Sequence, residues 1–286
     1  MALNLNARTI DVDQVGKTTG RFILFIRCGQ KYPLCLKDYA DHEDVIVVLS
    51  QYQPIDFPID KNCWLIRGGM SKFDAARLFF ADHPDMLDFE SFAFFDPDVG
   101  IAFPDLVRFL RDGAASGKTL YQAAVARDSS TYWDFLKARN GGGWREVSFV
   151  EVMAPIFSKE GLMAVIGGFS DSISTWGLEY HWYAKLKHLS MAVNDRFVMR
   201  HDSPVDLADG PFYRYLASLG VDPFVELKTL RTASVGKRFI ECEIPRAIPP
   251  AWKKYYVPVL AECASQSEKL KYYSSRIRSR LTGREG

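Results

Sequence analysis

No CxxC pair occurs among the five cysteines of this chain, Cys28, Cys35, Cys63, Cys242 and Cys263. Such an odd, scattered set specifies neither a disulfide framework nor a structural zinc site, and it predicts reduced thiols in a cytosol. No apolar run reaches the ~18 residues of a spanning helix, and the opening stretch MALNLNARTIDVDQ lacks a basic segment followed by an apolar one. Net charge is scarce too. A formal charge of +1 over 286 residues gives no global reason to expect nucleic acid as a partner, so any basic site must be local. A complete phosphate loop is also missing. VGKTTG (15–20) has Asp11 where the first glycine belongs and precedes the first strand, while GAASGKT (113–119) is one residue short and opens a strand where a helix is required. Both read as turns. These absences predict a soluble, cytoplasmic protein, attached at most to a membrane surface.

What is present is a series of apolar runs ending in polar or glycine-rich turns: RFILFIRCG (21–29), DVIVVLSQY (44–52), CWLIRGG (63–69) and SFAFF (91–95). Ser71 is a cap candidate for a helix whose apolar residues fall at 73, 76, 79 and 80, and FPDLVRFLRDG reads as a helix with Pro104 in its first turn and Gly113 just past its end. TLYQAAV and VSFVEVMAPIFS follow as strands, then a helical pattern over 177–186 and a last strand MAVNDRFVMRH. Strands alternating with helices predict an α/β fold with a mostly parallel sheet flanked by helices. The long, aromatic, glycine-rich separator 126–146 reads as a mobile loop with functional possibilities. Beyond about residue 205 prolines cluster and the tail EKLKYYSSRIRSRL is a basic helix candidate. The expected division is therefore 1–205 as the α/β domain and 206–286 as a mainly helical extension. The tail's stripe 270, 273, 277 and 281 fits either peripheral contact with an anionic membrane or packing on the protein.

The run Phe92-Ala93-Phe94-Phe95 leads directly into Asp96-Pro97-Asp98. Ligands of open α/β sheets bind outside the carboxyl ends of the strands, which is where these two acids fall. Two residues apart on an extended chain they point the same way, and hard carboxylate oxygens suit Mg²⁺ or Mn²⁺ carrying substrate phosphates. An Asx-type turn capping the next helix explains the same three residues without a ligand. Downstream, Glu179 follows an aromatic-glycine turn and His201 closes a strand; imidazole is acceptable to Mn²⁺. Lys72 and Arg27 follow strand ends and are candidates to meet a diphosphate or base, or are solvated surface charge. Glu151, inside FVEVMAP, either orients acceptor hydroxyls or pairs with an arginine. Trp176 and Trp182 suit sugar stacking or the core equally, and His181 and His188 read as surface or partnered histidines.

Taken together, an aspartate pair after an apolar strand, WGLE, and VMRH at a strand end resemble the nucleotide-sugar glycosyltransferases of the GT-A fold. VMRH and WGLE are similar to segments of the β-1,4-galactosyltransferases. FVEVMAPIFSKEGL, WGLEYHW and the step from Asp195 to His201 more closely resemble an uncharacterised glycosyltransferase-like family of plants and bacteria. The resemblance covers roughly residues 21–203. It implies a GT-A-like catalytic domain, with Asp96 approaching the ribose or metal, Asp98 and His201 ligating Mn²⁺ or Mg²⁺, and Glu179 as catalytic base. The galactosyltransferase pattern has a second acid where this chain has Tyr180. The implied donor is a nucleoside diphosphate sugar, UDP-linked by this resemblance, and the acceptor a glycan or glycolipid, as in bacterial surface polysaccharide synthesis. A non-catalytic nucleotide- or glycan-binding scaffold and a metal-dependent phosphohydrolase are the competing expectations.

Overall fold

The apolar runs become strands because nearly every residue in them is covered on both faces. A computed structural model describes residues 9–129, 131–186, 190–201, 210–236, 239 and 241–244. In chain order these form β1 (Ile10–Gln14), β2 (Phe22–Cys28), β3 (Val45–Gln51), β4 (Trp64–Gly68), α1 (Lys72–Asp82), β5 (Ser91–Phe95), β6 (Val99–Gly100) and α2 (Phe103–Ala115). Then come β7 (Leu120–Val125), β8 (Trp144–Glu146), β9 (Ile156–Ser158), α3 (Lys159–Val165), α4 (Leu178–Leu186), β10 (Met191–His201), α5 (Pro211–Ser218) and α6 (Pro223–Ser234). The tail stripe from 270 to 281 lies outside the described residues.

The fold is α/β, built on one ten-stranded sheet of order β1-β4-β3-β2-β5-β9-β7-β10-β6, with β8 also paired to β10. Parallel pairing links β4, β3, β2 and β5, and links β7 to β10. β1, β6, β8 and β9 all pair antiparallel with their neighbours. The sheet is therefore mixed, where the sequence predicts a mostly parallel one. β9 is inserted antiparallel between the parallel blocks, a direction that its composition cannot encode.

Every residue of β2, β3, β5 and β7 is buried. On one face Phe94 packs its ring 5.6 Å from Phe73 and 5.8 Å from Phe157. Trp182 lies 5.1 Å from Phe73 and is fully buried. Truncating such an aromatic typically costs ~3–5 kcal/mol. α1 starts as its sequence predicts, with the Ser71 hydroxyl accepting from the Asp74 amide at 3.2 Å. Gly113 does not end α2, which continues to Ala115. A Cβ at Gly113 would lie 2.3 Å from the Tyr121 hydroxyl, so this glycine admits a ring from β7 and is not a stop signal. The VSFVEVMAPIFS run is a strand only over its last three residues.

The extension is anchored onto the sheet. Ser148 donates its amide to the Cys242 carbonyl and Ile244 donates to Glu146. Within the separator 126–146 the Ala138 amide donates to the Val125 carbonyl of β7 at 2.8 Å. The separator ends in β8, Arg127 donates to the Ala138 carbonyl at 2.9 Å, and glycines at φ +121° and +47° (Gly141, Gly142) make the turn into β8.

Candidate functional site at the end of the fifth strand

From β2 the chain builds β3 and β4 on one side and then returns to place β5 on the other. In open α/β sheets ligands bind where the strand order reverses, outside the carboxyl ends of the strands, and β5 delivers Asp96 and Asp98 to that point. The Asp96 amide donates to the Met153 carbonyl at 2.8 Å, and the Val99 amide closes a turn onto the Asp96 carbonyl at 3.2 Å. The two-residue β6 then pairs antiparallel with the end of β10, setting Val99 opposite His201. This register brings His201 Nε2 to 3.3 Å from Asp98 Oδ2. The His201 backbone is held separately, its amide donating to the Ser129 hydroxyl at 2.6 Å.

Asp96 faces Lys72. The Lys72 ammonium donates to Asp96 Oδ1 at 2.8 Å and to the Val152 carbonyl at 2.6 Å, with the Phe94 and Met153 carbonyls at 3.3 Å. It is 4% exposed, and burial draws it down from the ordinary lysine range while Asp96 opposes that drift. Lys72 is thus a built-in cation beneath the aspartate pair, not solvated surface charge.

Glu179 stands in the first turn of α4, 7% exposed, its Oε2 accepting from the Gly177 amide at 3.0 Å. Burial pushes its carboxyl up to about 8, and the nearby Glu151 charge adds to this against the backbone N–H groups that lower it. Glu151 is raised to about 7, again mainly by burial, with Thr131 donating to its carboxylate at 3.2 Å. The arginine expected of it is replaced by this hydroxyl. Asp96 raises Glu151 further while His201 lowers it, so these groups share one electrostatic environment.

Arg27 is buried and bonded within the sheet and the turn that follows β4. Its guanidinium donates to the Ser50 hydroxyl and to the Gly68 and Gly69 carbonyls at 2.7–2.9 Å, and burial lowers it to about 10. These bonds make it a brace for the β4–α1 turn. Trp182 belongs to the core, and Trp176 packs edge-on against Phe224, 5.1 Å away, in the extension. His181 sits 3.8 Å from Asp171; His188 lies outside the described residues. Asp195 is committed to Arg145, at 2.7 Å.

No family model matches the chain, and no curated protein matches it. Among solved structures it is similar to that of A197 from STIV, at 13% identity and a TM-score of 0.40, covering 64% of this chain and 86% of that one. A likeness this slight leaves fold and function to be argued from the residues themselves.

One contributor has no signal in the sequence. Glu226, in the first turn of α6, accepts from the Ser172 hydroxyl and from the Ile173 and Ser174 amides at 2.8–3.1 Å, on the approach to Glu179. An acid in a helix of mixed polarity looks like a solvated face; only the tertiary contact gives it a role.

Proposed function

We propose that this chain is a GT-A-like, metal-dependent glycosyltransferase, moving a sugar from a nucleoside diphosphate donor, UDP by resemblance, to a hydroxyl of a glycan or glycolipid. The observation that carries the reading is the Asp98–His201 approach of 3.3 Å beside the Lys72–Asp96 pair, where the strand order reverses. A carboxylate oxygen and an imidazole nitrogen at that separation fit a shared Mn²⁺ or Mg²⁺ ion. Among the described residues no group of three or more His, Cys, Asp or Glu gathers as a self-sufficient cage. Ions of this kind usually complete their shell with substrate phosphates and water.

The ion, when bound, would neutralise charge developing on the leaving diphosphate. Lys72 adds fixed positive charge below Asp96, and Asp96 is placed to accept from a donor hydroxyl. The acceptor oxygen forms a bond to the anomeric carbon while the carbon–oxygen bond to the diphosphate breaks, its electron pair leaving with the phosphate. Glu179 takes the acceptor proton in its ionised form, a fraction that grows as pH rises through about 8.

The test is thermal stabilisation by Mn²⁺ with UDP and with UDP-, GDP- and CMP-sugars. Ligand at a hundred times its Kd stabilises the parent by about 2.7 kcal/mol. Asp98→Ala and His201→Ala should weaken this metal-dependent binding at least about tenfold, about 1.4 kcal/mol, without lowering the unliganded melting temperature. Parent-like binding in both variants would overturn the metal site, and sugar reaching only water would replace transfer with hydrolysis.

A further inference from the structure

We infer that Glu226 is a positioning residue: from α6 it fixes the 172–177 turn and thereby the placement of the Glu179 carboxylate. This rests on the role proposed for Glu179. The carboxylate of Glu226 leaves its own helix and meets three consecutive residues. Oε1 accepts from the Ile173 amide at 3.1 Å, and Oε2 accepts from the Ser174 amide at 2.8 Å and lies 2.9 Å from the Ser172 hydroxyl. Both serines are buried, at 1% and 0% exposure, so these donors have no water to fall back on.

The bonding continues step by step toward Glu179. The Ser174 hydroxyl accepts from the Trp176 amide at 3.2 Å, and the Ser172 hydroxyl lies 3.1 Å from the Trp176 carbonyl, sharing its one proton with Glu226. Thr175 is held at φ +68° and Gly177 at φ +92°. A β-branched residue in the left-handed region persists only where its surroundings over-determine it. Gly177 then donates its amide to Glu179 Oε2 at 3.0 Å. The same face of α6 closes the other side of the turn: a Cβ on Gly177 would meet Leu230 Cβ at 3.0 Å and Leu227 Cα at 3.2 Å, and Phe224 packs on Trp176. A helix from the extension therefore grips the turn by hydrogen bonds at its start and by packing at its end.

The experiment is amide hydrogen exchange on the full chain carrying Glu226→Gln, joined to steady-state transfer kinetics. The amide side chain keeps the shape and loses the charged acceptor. Exchange at Ile173 and Ser174 should rise ~10-fold or more, and so should exchange at Gly177, which Glu226 does not touch, while Phe92 and Ala93 in β5 stay at parental rates. kcat should fall ~10–100-fold with KM for the donor within about twofold. Parental exchange at Gly177, or kcat falling only in step with the folded fraction, would overturn the inference. If Glu226→Gln raises exchange in β5 as well, Ser172→Ala decides instead, because it leaves the carboxylate and its two amide donors in place. It must then speed Gly177 at least about threefold, and a parental rate there overturns the claim. The exchange measurement needs no donor, so it stands even if the parent transfers no sugar, a result that would sink the proposed function alone.

Discussion

Two polar clusters of the molecule hold their carboxyl groups in different ways. On one side Arg145, 7% exposed, binds Asp195 at 2.7 Å and Glu243 at 2.8 Å, while Arg139 reaches Glu243 at 2.5 Å. Two guanidiniums face two carboxylates. On the other side Lys72 pairs with Asp96 at 2.8 Å and His201 approaches Asp98 at 3.3 Å, while Glu151 and Glu179 are pushed up by burial to about 7 and 8. The matched cluster spends its charge on joining β8, β10 and the extension. The other holds two buried carboxyls, Glu151 and Glu179, raised to about 7 and 8, and acids shifted in this way by burial gather at functional sites more often than in structural ion pairs.

The sharpest way to break this contrast is Glu179→Gln. Removing a well-placed base should cut transfer ~10²–10⁴-fold while leaving Mn²⁺-dependent donor binding near parental. The stability effect should have the opposite sign. With its folded value raised to about 8 from an ordinary 4.5, Glu179 binds its proton more tightly folded than unfolded. Its favourable contribution is full below about pH 4.5 and is lost as pH rises through about 8. Glu179→Gln should therefore match the parent near pH 4.5 and exceed it by about 2–4 kcal/mol at pH 8.5. Denaturant unfolding at the two pH values measures this. A variant less stable at pH 8.5 would make Glu179 a structural acid like those around Arg145.

Arg145→Leu tests the other cluster. Deleting the guanidinium strands Asp195, which is 5% exposed at its side chain, so stability should drop by about 3–5 kcal/mol. Donor affinity per folded molecule should not change. A loss of affinity at temperatures where the variant remains folded would mean that the two clusters are coupled through β10.

Much of the frame was legible in the sequence because burial on both faces writes itself as uninterrupted apolar residues. The runs at 22–28, 45–51, 64–68, 91–95 and 120–125 all fall on strands. Strand direction leaves no such trace, which is why β9 and the mixed pairing were hidden. At the site, Asp96, Asp98, Glu179 and His201 stood out by residue type at the ends of elements. What joins Asp98 to His201 is a two-residue strand too short to show any pattern. Arg27 reads like a ligand-binding cation until its acceptors are seen to be the Gly68 and Gly69 carbonyls. Lys72 goes the other way, since nothing local predicts that a lysine one residue past a helix cap turns inward onto Asp96.

A third arrangement calibrates both clusters. Arg21 and Glu90 form a two-pronged pair at 2.7 and 2.9 Å, geometrically as good as any in the matched cluster, yet both side chains are nearly half exposed, at 45% and 46%. Water already solvates each partner, so pairing recovers little, and Glu90→Gln should cost only about 0.2–1 kcal/mol. That loss should shrink further at high salt, where the parent's own advantage is screened. Denaturant unfolding of parent and variant at low and high ionic strength reads both effects. If Glu90→Gln cost as much as Arg145→Leu, geometry and not burial would govern these ion pairs. Burial of Glu151 and Glu179, which raises their carboxyls to about 7 and 8, would then lose its force as a sign of function.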